Sequence, residues 1–212
     1  MSLLPELLQA VLLTLFASAS AIHIGLARRG YGEPQQPALF CALLAFGLAA
    51  GIGASALARL AFGLDTFEAE RWLLRATLLL GLPLIALVAL TFARQWTWSR
   101  PAWGRAVLGL CAFFELARLL DWSDPYALTL GLLSALVVIH AGLLQWPARP
   151  QTAAGIAGGA LLLAALPWTG LRIGENPLAA YQQFCLALAC PVMAWFVLKL
   201  PANPGGEGIE QT

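Results

Sequence analysis

The sequence predicts an all-α integral membrane protein, folded as a single bundle of seven transmembrane helices. Of its 212 residues, 60% are hydrophobic and 11% are charged, and the mean hydropathy is +0.77. Soluble domains carry roughly a quarter charged residues. The apolar residues fall into seven runs of about twenty, the length that an α-helix needs to cross a hydrocarbon core of about 30 Å. The runs are joined by short connections, so no linker divides the chain into domains.

The seven predicted helices occupy residues 1–200 and follow each other closely. They are Leu3–Leu26, Ala38–Phe62, Trp72–Ala93, Gly104–Leu120, Tyr126–Trp146, Ala153–Leu171 and Leu178–Leu200. Residues 201–212 are rich in Gly and Pro and lack an apolar run, so we expect a disordered tail there.

The first run resembles a signal peptide in its length and its small residues. A signal peptide opens with basic residues, but here the first charge is Glu6 and the pair Arg28-Arg29 follows the apolar run. The pattern therefore favours a first transmembrane helix with its basic end at the C-terminal side.

The second and sixth runs carry small residues four positions apart, namely Gly47, Gly51 and Ser55, and Gly155 and Gly159. Such spacing lets helix backbones approach closely in a membrane, so we expect these residues in helix contacts. The alternative is a second helix that unwinds around a ligand, as some transporter helices do.

Three prolines lie within the predicted helices, at Pro83, Pro167 and Pro191. Each removes a backbone hydrogen bond, so we expect kinks there. The fourth run is the shortest and the most polar, because it includes Glu115 and Arg118.

The basic and acidic residues lie at opposite ends of the predicted bundle. The basic end holds Arg28, Arg29, Arg94, Arg100, Arg105, Arg149 and Lys199. The acidic end holds Glu6, Asp65, Glu68, Glu70, Arg71, Asp121, Asp124, Arg172 and Glu175. Short loops rich in Lys and Arg stay in the cytoplasm. We therefore expect a multi-pass protein of the bacterial inner membrane with its N-terminus in the periplasm and its C-terminus in the cytoplasm.

The composition argues against several classes of function. A net charge of +1 without a basic tail provides no electrostatic surface for nucleic acid. Four cysteines lie in apolar runs without a CxxC, so we predict no disulfide, metal or cofactor. The two histidines, His23 and His140, are expected to be buried hydrogen-bonding groups that join helices.

Several polar residues distant in sequence fall at one depth, about one turn inside the acidic end. They are Arg59, Arg75, Glu115, Arg118, Tyr181, Gln182 and Gln183. Three guanidinium groups and one carboxylate leave a surplus of positive charge, and the planar fork of Arg suits carboxylate or phosphate. This set, without Gln183, is our predicted ligand-binding site for an anion or a lipid headgroup, in a pocket between the second, third, fourth and seventh helices.

The alternative without a binding site is that Arg59 and Arg75 extend to the interface, while Glu115 and Arg118 neutralise each other within one helix. We favour a cross-helix pair, because a carboxylate inside a membrane needs a partner. We therefore expect Glu115 to bind Arg59 or Arg75, with Arg118 directed to the interface, toward Asp121 or a ligand.

The helix pattern resembles small bacterial seven-helix membrane proteins of unassigned function. These are distantly similar in architecture to the alkaline ceramidase and progestin-receptor group of membrane hydrolases. The resemblance rests on the helix count, the stretch Gly51-Ile52-Gly53-Ala54-Ser55, Arg75 at the opening of the third helix and Tyr181-Gln182-Gln183 at the opening of the seventh. That group binds zinc through histidines near the second and seventh helices, which this sequence lacks, so the resemblance implies only the fold.

The sequence therefore predicts a non-enzymatic membrane protein that binds a lipid headgroup or a small anion, or that docks as a subunit on a larger membrane complex. Its expected partners are membrane lipids and other membrane subunits. One alternative is an unusual membrane hydrolase with Glu115 as acid or base, and another is a small transporter.

Overall fold

A computed structural model describes residues 3–120, 122–166 and 180–200, which fold into α-helices. Seven helices lie in these ranges, and each is numbered here in chain order. They are α1 Leu3–Ala27, α2 Gln36–Phe62, α3 Phe67–Ala93, α4 Arg100–Leu119, α5 Ser123–Leu143, α6 Arg149–Ala165 and α7 Ala180–Lys199. The predicted all-α fold is confirmed. Four predicted features lie outside the described residues. They are the tail, Pro167, the end of the sixth helix at Leu171 and the start of the seventh at Leu178.

Five of the seven helices, α1, α2, α3, α5 and α7, are long and apolar enough to cross a membrane. The chain is therefore a multi-pass membrane protein, but seven crossings are not confirmed. In α4, Arg105, Glu115 and Arg118 interrupt the apolar run. The described part of α6 spans 17 residues, fewer than the roughly twenty that a crossing needs.

Helix α3 begins at Phe67, before the predicted start at Trp72. Its first turn carries Glu68 and Glu70, and carboxylates are favourable near the positive end of the helix dipole. Hydropathy alone misses such a turn. Helices α4 and α6 also begin early, at Arg100 and Arg149, each followed by a proline at a position where its missing N–H costs nothing.

The middle of α3 departs from α-helical geometry. Residues Thr77–Gly81 form a π-helical segment between α-helical parts, and Pro83 follows in the first turn of the second part. A proline cannot donate to the carbonyl four residues earlier, here Leu79, and π segments are found where that ladder is disturbed. The irregularity expected at Pro83 is therefore a π segment just before the proline.

Six helices close into a ring in the order α1, α2, α3, α5, α6 and α7, with α7 packing back onto α1. Helix α4 lies outside this ring, against the π segment of α3 and beside α2 and α5. Only Trp103 and Ala117 of α4 are buried. Trp103 packs on Trp98, with ring centroids 5.2 Å apart.

Glycines set the closest helix contacts. A Cβ on Gly155 would lie 2.5 Å from the Cα of Gly142 in α5, and a Cβ on Gly159 would lie 2.4 Å from the side chain of Ile139. The predicted packing role of Gly155 and Gly159 is confirmed. A Cβ on Gly51 would lie 3.2 Å from the side chain of Leu73 in α3, which is a looser contact. Nothing lies within 4 Å of a Cβ on Gly47, so the predicted contact at Gly47 was wrong for the described residues.

At the basic end, the loop after α1 is tied to the end of α7. The hydroxyl of Tyr31 donates a hydrogen bond to the carbonyl of Leu198, with an O–O distance of 2.8 Å. Burial raises the pKa of the Tyr31 hydroxyl above its usual value, so the donor keeps its proton. This bond joins residues 167 positions apart in the chain and closes the ring at this end.

Candidate functional site

The acidic end contains a cross-helix ion pair between Arg59, in the last turns of α2, and Glu70, in the first turns of α3. Both Nε and Nη2 of Arg59 lie 3.1 Å from Oε2 of Glu70. The Glu70 side chain is 2% exposed, and that of Arg59 is 30% exposed. A buried carboxylate therefore fixes the direction of a partly exposed guanidinium.

The turn between α2 and α3 brings these two residues together. Gly63 ends α2 with a φ of +66°, in the left-handed region, and its N–H bonds to the carbonyl of Arg59. The hydroxyl of Thr66 donates to the carbonyl of Ser55 at 2.7 Å. Ser55 and Arg59 are one turn apart on α2, so α3 starts against the face of α2 that carries Arg59.

Neither side chain of this pair uses all of its hydrogen-bonding capacity on described groups. Oε1 of Glu70 is buried and accepts no hydrogen bond from the described residues. Arg59 binds Glu70 through Nε and Nη2, and Nη1 has no bond to the part of the chain that the structure describes. A guanidinium held in this way can present Nη1 to an anion.

Two further arginines lie along α3 beside this pair. Arg71 forms an ion pair with Glu68, with Nη1 2.7 Å from Oε1. The guanidinium of Arg75 lies 5.9 Å from the ring centroid of Trp72, a distance at which a cation is attracted to the ring face. Trp72 is exposed, so this side of α3 presents an aromatic ring and basic groups at the acidic end.

The expected cross-helix partner of Glu115 was wrong. Arg118 of the same helix binds both carboxylate oxygens of Glu115, with Nε 2.9 Å from Oε2 and Nη2 on Oε1. Both side chains are about half exposed, because α4 lies outside the ring and does not bury this face. A one-turn pair thus neutralises Glu115, and Asp121, the other expected partner of Arg118, lies outside the described residues.

The polar residues at the start of α7 differ in their exposure. Tyr181 is exposed, whereas Gln182 and Gln183 are buried. The Nε2 atom of Gln182 donates to the carbonyl of Leu166 at 2.8 Å. Gln182 therefore links the start of α7 to the chain at the end of α6.

The two histidines are exposed, so the expectation that they are buried was wrong. His140 nevertheless joins two elements, because its Nε2 lies 3.4 Å from Nη2 of Arg94, just after α3. Within residues 3–120, 122–166 and 180–200, no group of three His, Cys, Asp or Glu side chains could hold a metal ion.

The sequence prediction missed Glu70, the most deeply buried charged group among the described residues. Glu70 was assigned to a loop because the apolar run begins at Trp72. The signal that could have found it is the spacing of Glu70, Leu74 and Leu78, which recur every fourth residue and are all buried.

A cavity with a volume of about 40 Å³ lies at the basic end. It is lined by Pro34, Gln35, Ala38, Thr91, Phe92, Gln95, Trp96, Thr97, Trp98 and Trp103. An engineered cavity that binds benzene has about 150 Å³, so this space is too small for a lipid headgroup.

Comparison with known proteins provides no functional assignment for this chain. The chain matches no protein-family profile, no curated protein sequence and no solved structure.

Proposed function

We propose that this integral membrane protein binds the phosphate of a lipid headgroup at the acidic end, through Arg59. The observation that carries the proposal is the buried carboxylate of Glu70, which holds a partly exposed guanidinium by one oxygen. Orientation matters, because a side chain already fixed in its binding geometry loses less entropy when the ligand arrives.

The depth of Arg59 suits a headgroup. Arg59 lies three residues before the end of α2 at Phe62, which corresponds to about 4.5 Å along the helix axis. At that depth we expect the guanidinium to lie just inside the membrane interface, where phosphate groups lie and where long basic side chains reach the headgroups. Exposed Trp72 is typical of the aromatic belt at the same level.

Net charge does not distinguish this region. The α2–α3 turn and the start of α3 bring together three arginines, Arg59, Arg71 and Arg75, with three carboxylates, Asp65, Glu68 and Glu70, so an anion would be recognised by the direction of the Arg59 guanidinium. Arg75 stays in the proposed site because it lies on α3 at the same end, beside exposed Trp72. We assign Glu115 and Arg118 no part in headgroup binding, because each satisfies the other.

The test is lipid binding to the detergent-purified protein, measured by native mass spectrometry with added phosphatidylglycerol. We expect the double variant Arg59→Gln, Glu70→Gln to bind about tenfold more weakly, since a hydrogen bond to a charged group is worth roughly 1.5–3 kcal/mol. The double change removes both charges and so leaves no buried carboxylate without its partner. Arg118→Gln is the matched control and should bind as the wild type does.

A second arm separates a lipid headgroup from a free anion. Inorganic phosphate should leave the melting temperature of the wild type unchanged at concentrations where phosphatidylglycerol raises it, because the acyl chains contribute binding energy through apolar burial. Equal lipid binding by the double variant and the wild type would contradict the proposal. No contact among the described residues specifically favours the hydrolase or the transporter alternative. Both oxygens of Glu115, the expected acid or base of the hydrolase, are bound by Arg118.

A further inference from the structure

Two of the three carboxylates around the turn between α2 and α3 are already bound by arginines. Arg59 binds Glu70, and Nη1 of Arg71 lies 2.7 Å from Oε1 of Glu68. The third carboxylate, that of Asp65, lies in the turn itself and is exposed. Asp65 forms no ion pair or side-chain hydrogen bond within the part of the chain that the structure describes. The turn therefore presents one carboxylate that can bind a cation from outside the chain.

The backbone of the turn holds Asp65 beside the end of α2. The N–H of Leu64 donates a hydrogen bond to the carbonyl of Ala58, the residue before Arg59, at 3.3 Å. The hydroxyl of Thr66 donates to a carbonyl of α2 one turn earlier, at 2.7 Å. Asp65 lies between these two contacts, where the chain runs back along α2. It is therefore held near the level of Arg59 along the helix.

The two groups at this level that remain available have opposite charges. Nη1 of Arg59 makes no hydrogen bond to the described residues, and none of them binds the carboxylate of Asp65. A ligand with negative charge alone would be attracted by Arg59 and repelled by Asp65, because like charges in contact oppose binding. A ligand with a negative and a positive group close together would find a partner for each.

We propose that the headgroup bound here is zwitterionic, namely that of phosphatidylethanolamine, with its phosphate on Arg59 and its primary ammonium on Asp65. This inference rests on the proposed headgroup site. A short ethylene bridge joins the ammonium to the phosphate, so a guanidinium and a carboxylate at one level can bind both groups at once. A primary ammonium also offers three N–H donors to a carboxylate, whereas the quaternary ammonium of phosphatidylcholine has none.

A purely structural role for Asp65 predicts a different result. Asp65 lies two residues before the first residue of α3, Phe67, and a carboxylate near the N-terminus of a helix stabilises the helix. If that were its only role, Asp65→Asn would lower the melting temperature and would change the binding of all phospholipids equally. Selectivity between headgroups is therefore the measurement that separates the two roles.

The test is competition between phosphatidylethanolamine and phosphatidylglycerol with identical acyl chains, measured by native mass spectrometry of the detergent-purified protein. We expect the wild type to bind phosphatidylethanolamine about fivefold more tightly, the size expected for an exposed ion pair. Asp65→Asn should abolish this preference without weakening the binding of phosphatidylglycerol. Glu33→Gln, which removes an exposed carboxylate at the opposite end of the bundle, is the matched control and should keep the preference.

Charge reversal and a third lipid extend the test. Asp65→Lys adds a cation beside Arg59, so phosphatidylglycerol should then bind more tightly than phosphatidylethanolamine. Phosphatidylcholine should bind the wild type more weakly than phosphatidylethanolamine does, because its ammonium cannot donate a hydrogen bond.

Three outcomes would overturn the inference: a wild type without preference for phosphatidylethanolamine, a preference that survives Asp65→Asn, or phosphatidylcholine bound as tightly as phosphatidylethanolamine. The double variant Arg59→Gln, Glu70→Gln distinguishes this failure from that of the headgroup site. Weaker binding of both lipids by the double variant would leave the headgroup site intact when the preference for phosphatidylethanolamine is absent. Binding of both lipids as in the wild type would mean that the headgroup site itself is wrong.

Discussion

Glu70 and Glu115 lie at the same end of the bundle and have opposite surroundings. The Glu70 side chain is 2% exposed and that of Glu115 is 49% exposed. Each is paired with one arginine, but only the pair of Glu70 joins two helices. Hydropathy could not separate them, because burial depends on which helices become neighbours, and the sequence places Glu115 in the more apolar surroundings.

We expect Arg59→Leu to lower the free energy of unfolding by about 3–5 kcal/mol, as removal of one member of a buried ion pair does. The double variant Arg59→Leu, Glu70→Leu should lose less, because no carboxylate is then left buried without a counter-charge. Thermal unfolding in detergent measures both. Arg118→Leu serves as control and should change stability little, because exposed pairs contribute little. Losses that simply add in the double variant would show that the pair does not act as a unit.

The hydroxyl of Tyr31 allows a conservative test of the contact between the loop after α1 and the end of α7. Tyr31→Phe removes the hydrogen bond to the carbonyl of Leu198 and keeps the aromatic side chain, so we expect the free energy of unfolding to fall by about 1 kcal/mol. Denaturant titration of the purified protein measures the change. A variant as stable as the wild type would mean that water replaces the bond without loss.

Among the elements, α3 and α4 depart furthest from what their sequences predict. The polar first turn of α3 was not recognised as helix, because acidic residues lower the hydropathy that marks a span. Helix α4 was predicted as part of a common pocket with α2, α3 and α7. It lies outside the ring instead, and the spacing of an apolar run shows that a helix has two faces but does not identify the helix that covers each one.

The pairing of α5 with α6 should be sensitive to a single methyl group. Gly155→Ala places a Cβ 2.5 Å from the Cα of Gly142, so the two backbones must separate, and overpacking costs about 1–3 kcal/mol. Gly47→Ala, also in a helix but with nothing within 4 Å of its Cβ, is the matched control. It should be neutral or stabilising by up to about 1 kcal/mol, because glycine disfavours helix.

The melting temperatures of the two variants provide the comparison. A fall for Gly155→Ala with none for Gly47→Ala is the expected result. Equal falls would mean that the loss reflects glycine substitution in general and not the close contact of α5 and α6.

At the scale of the whole molecule, the segregation of charge remains the guide to orientation. The composition and the apolar runs predicted a multi-pass helical membrane protein, which the five apolar spans support. The order of helices around the ring and the position of α4 could not be predicted, because several rings are compatible with the same short connections.

We expect the basic end to face the cytoplasm and the N-terminus to lie on the outer side of the membrane, since basic residues in short loops are retained inside. Fusions of a reporter that is active only outside the cytoplasm decide the question. The reporter should be active after Gly63, in the turn between α2 and α3, and inactive after Thr212. Activity in the reverse pattern would invert the orientation and move the proposed headgroup site to the cytoplasmic leaflet.

The π segment of α3 at Thr77–Gly81 has a consequence for changes in chain length. A π turn holds one residue more than an α turn, so the loss of one residue within Thr77–Gly81 would restore α-helical spacing there. The two ends of α3 would keep their facing directions, although Pro83 would still donate no backbone hydrogen bond. The loss of one residue elsewhere in α3, such as Leu87, would rotate one part of the helix by about 100° relative to the other. Glu70 and Arg59 could then remain opposite each other only if the rest of α3 abandoned its contacts with α5. Single-residue deletions in α3 should therefore be tolerated within Thr77–Gly81 and not in the helical parts on either side of it.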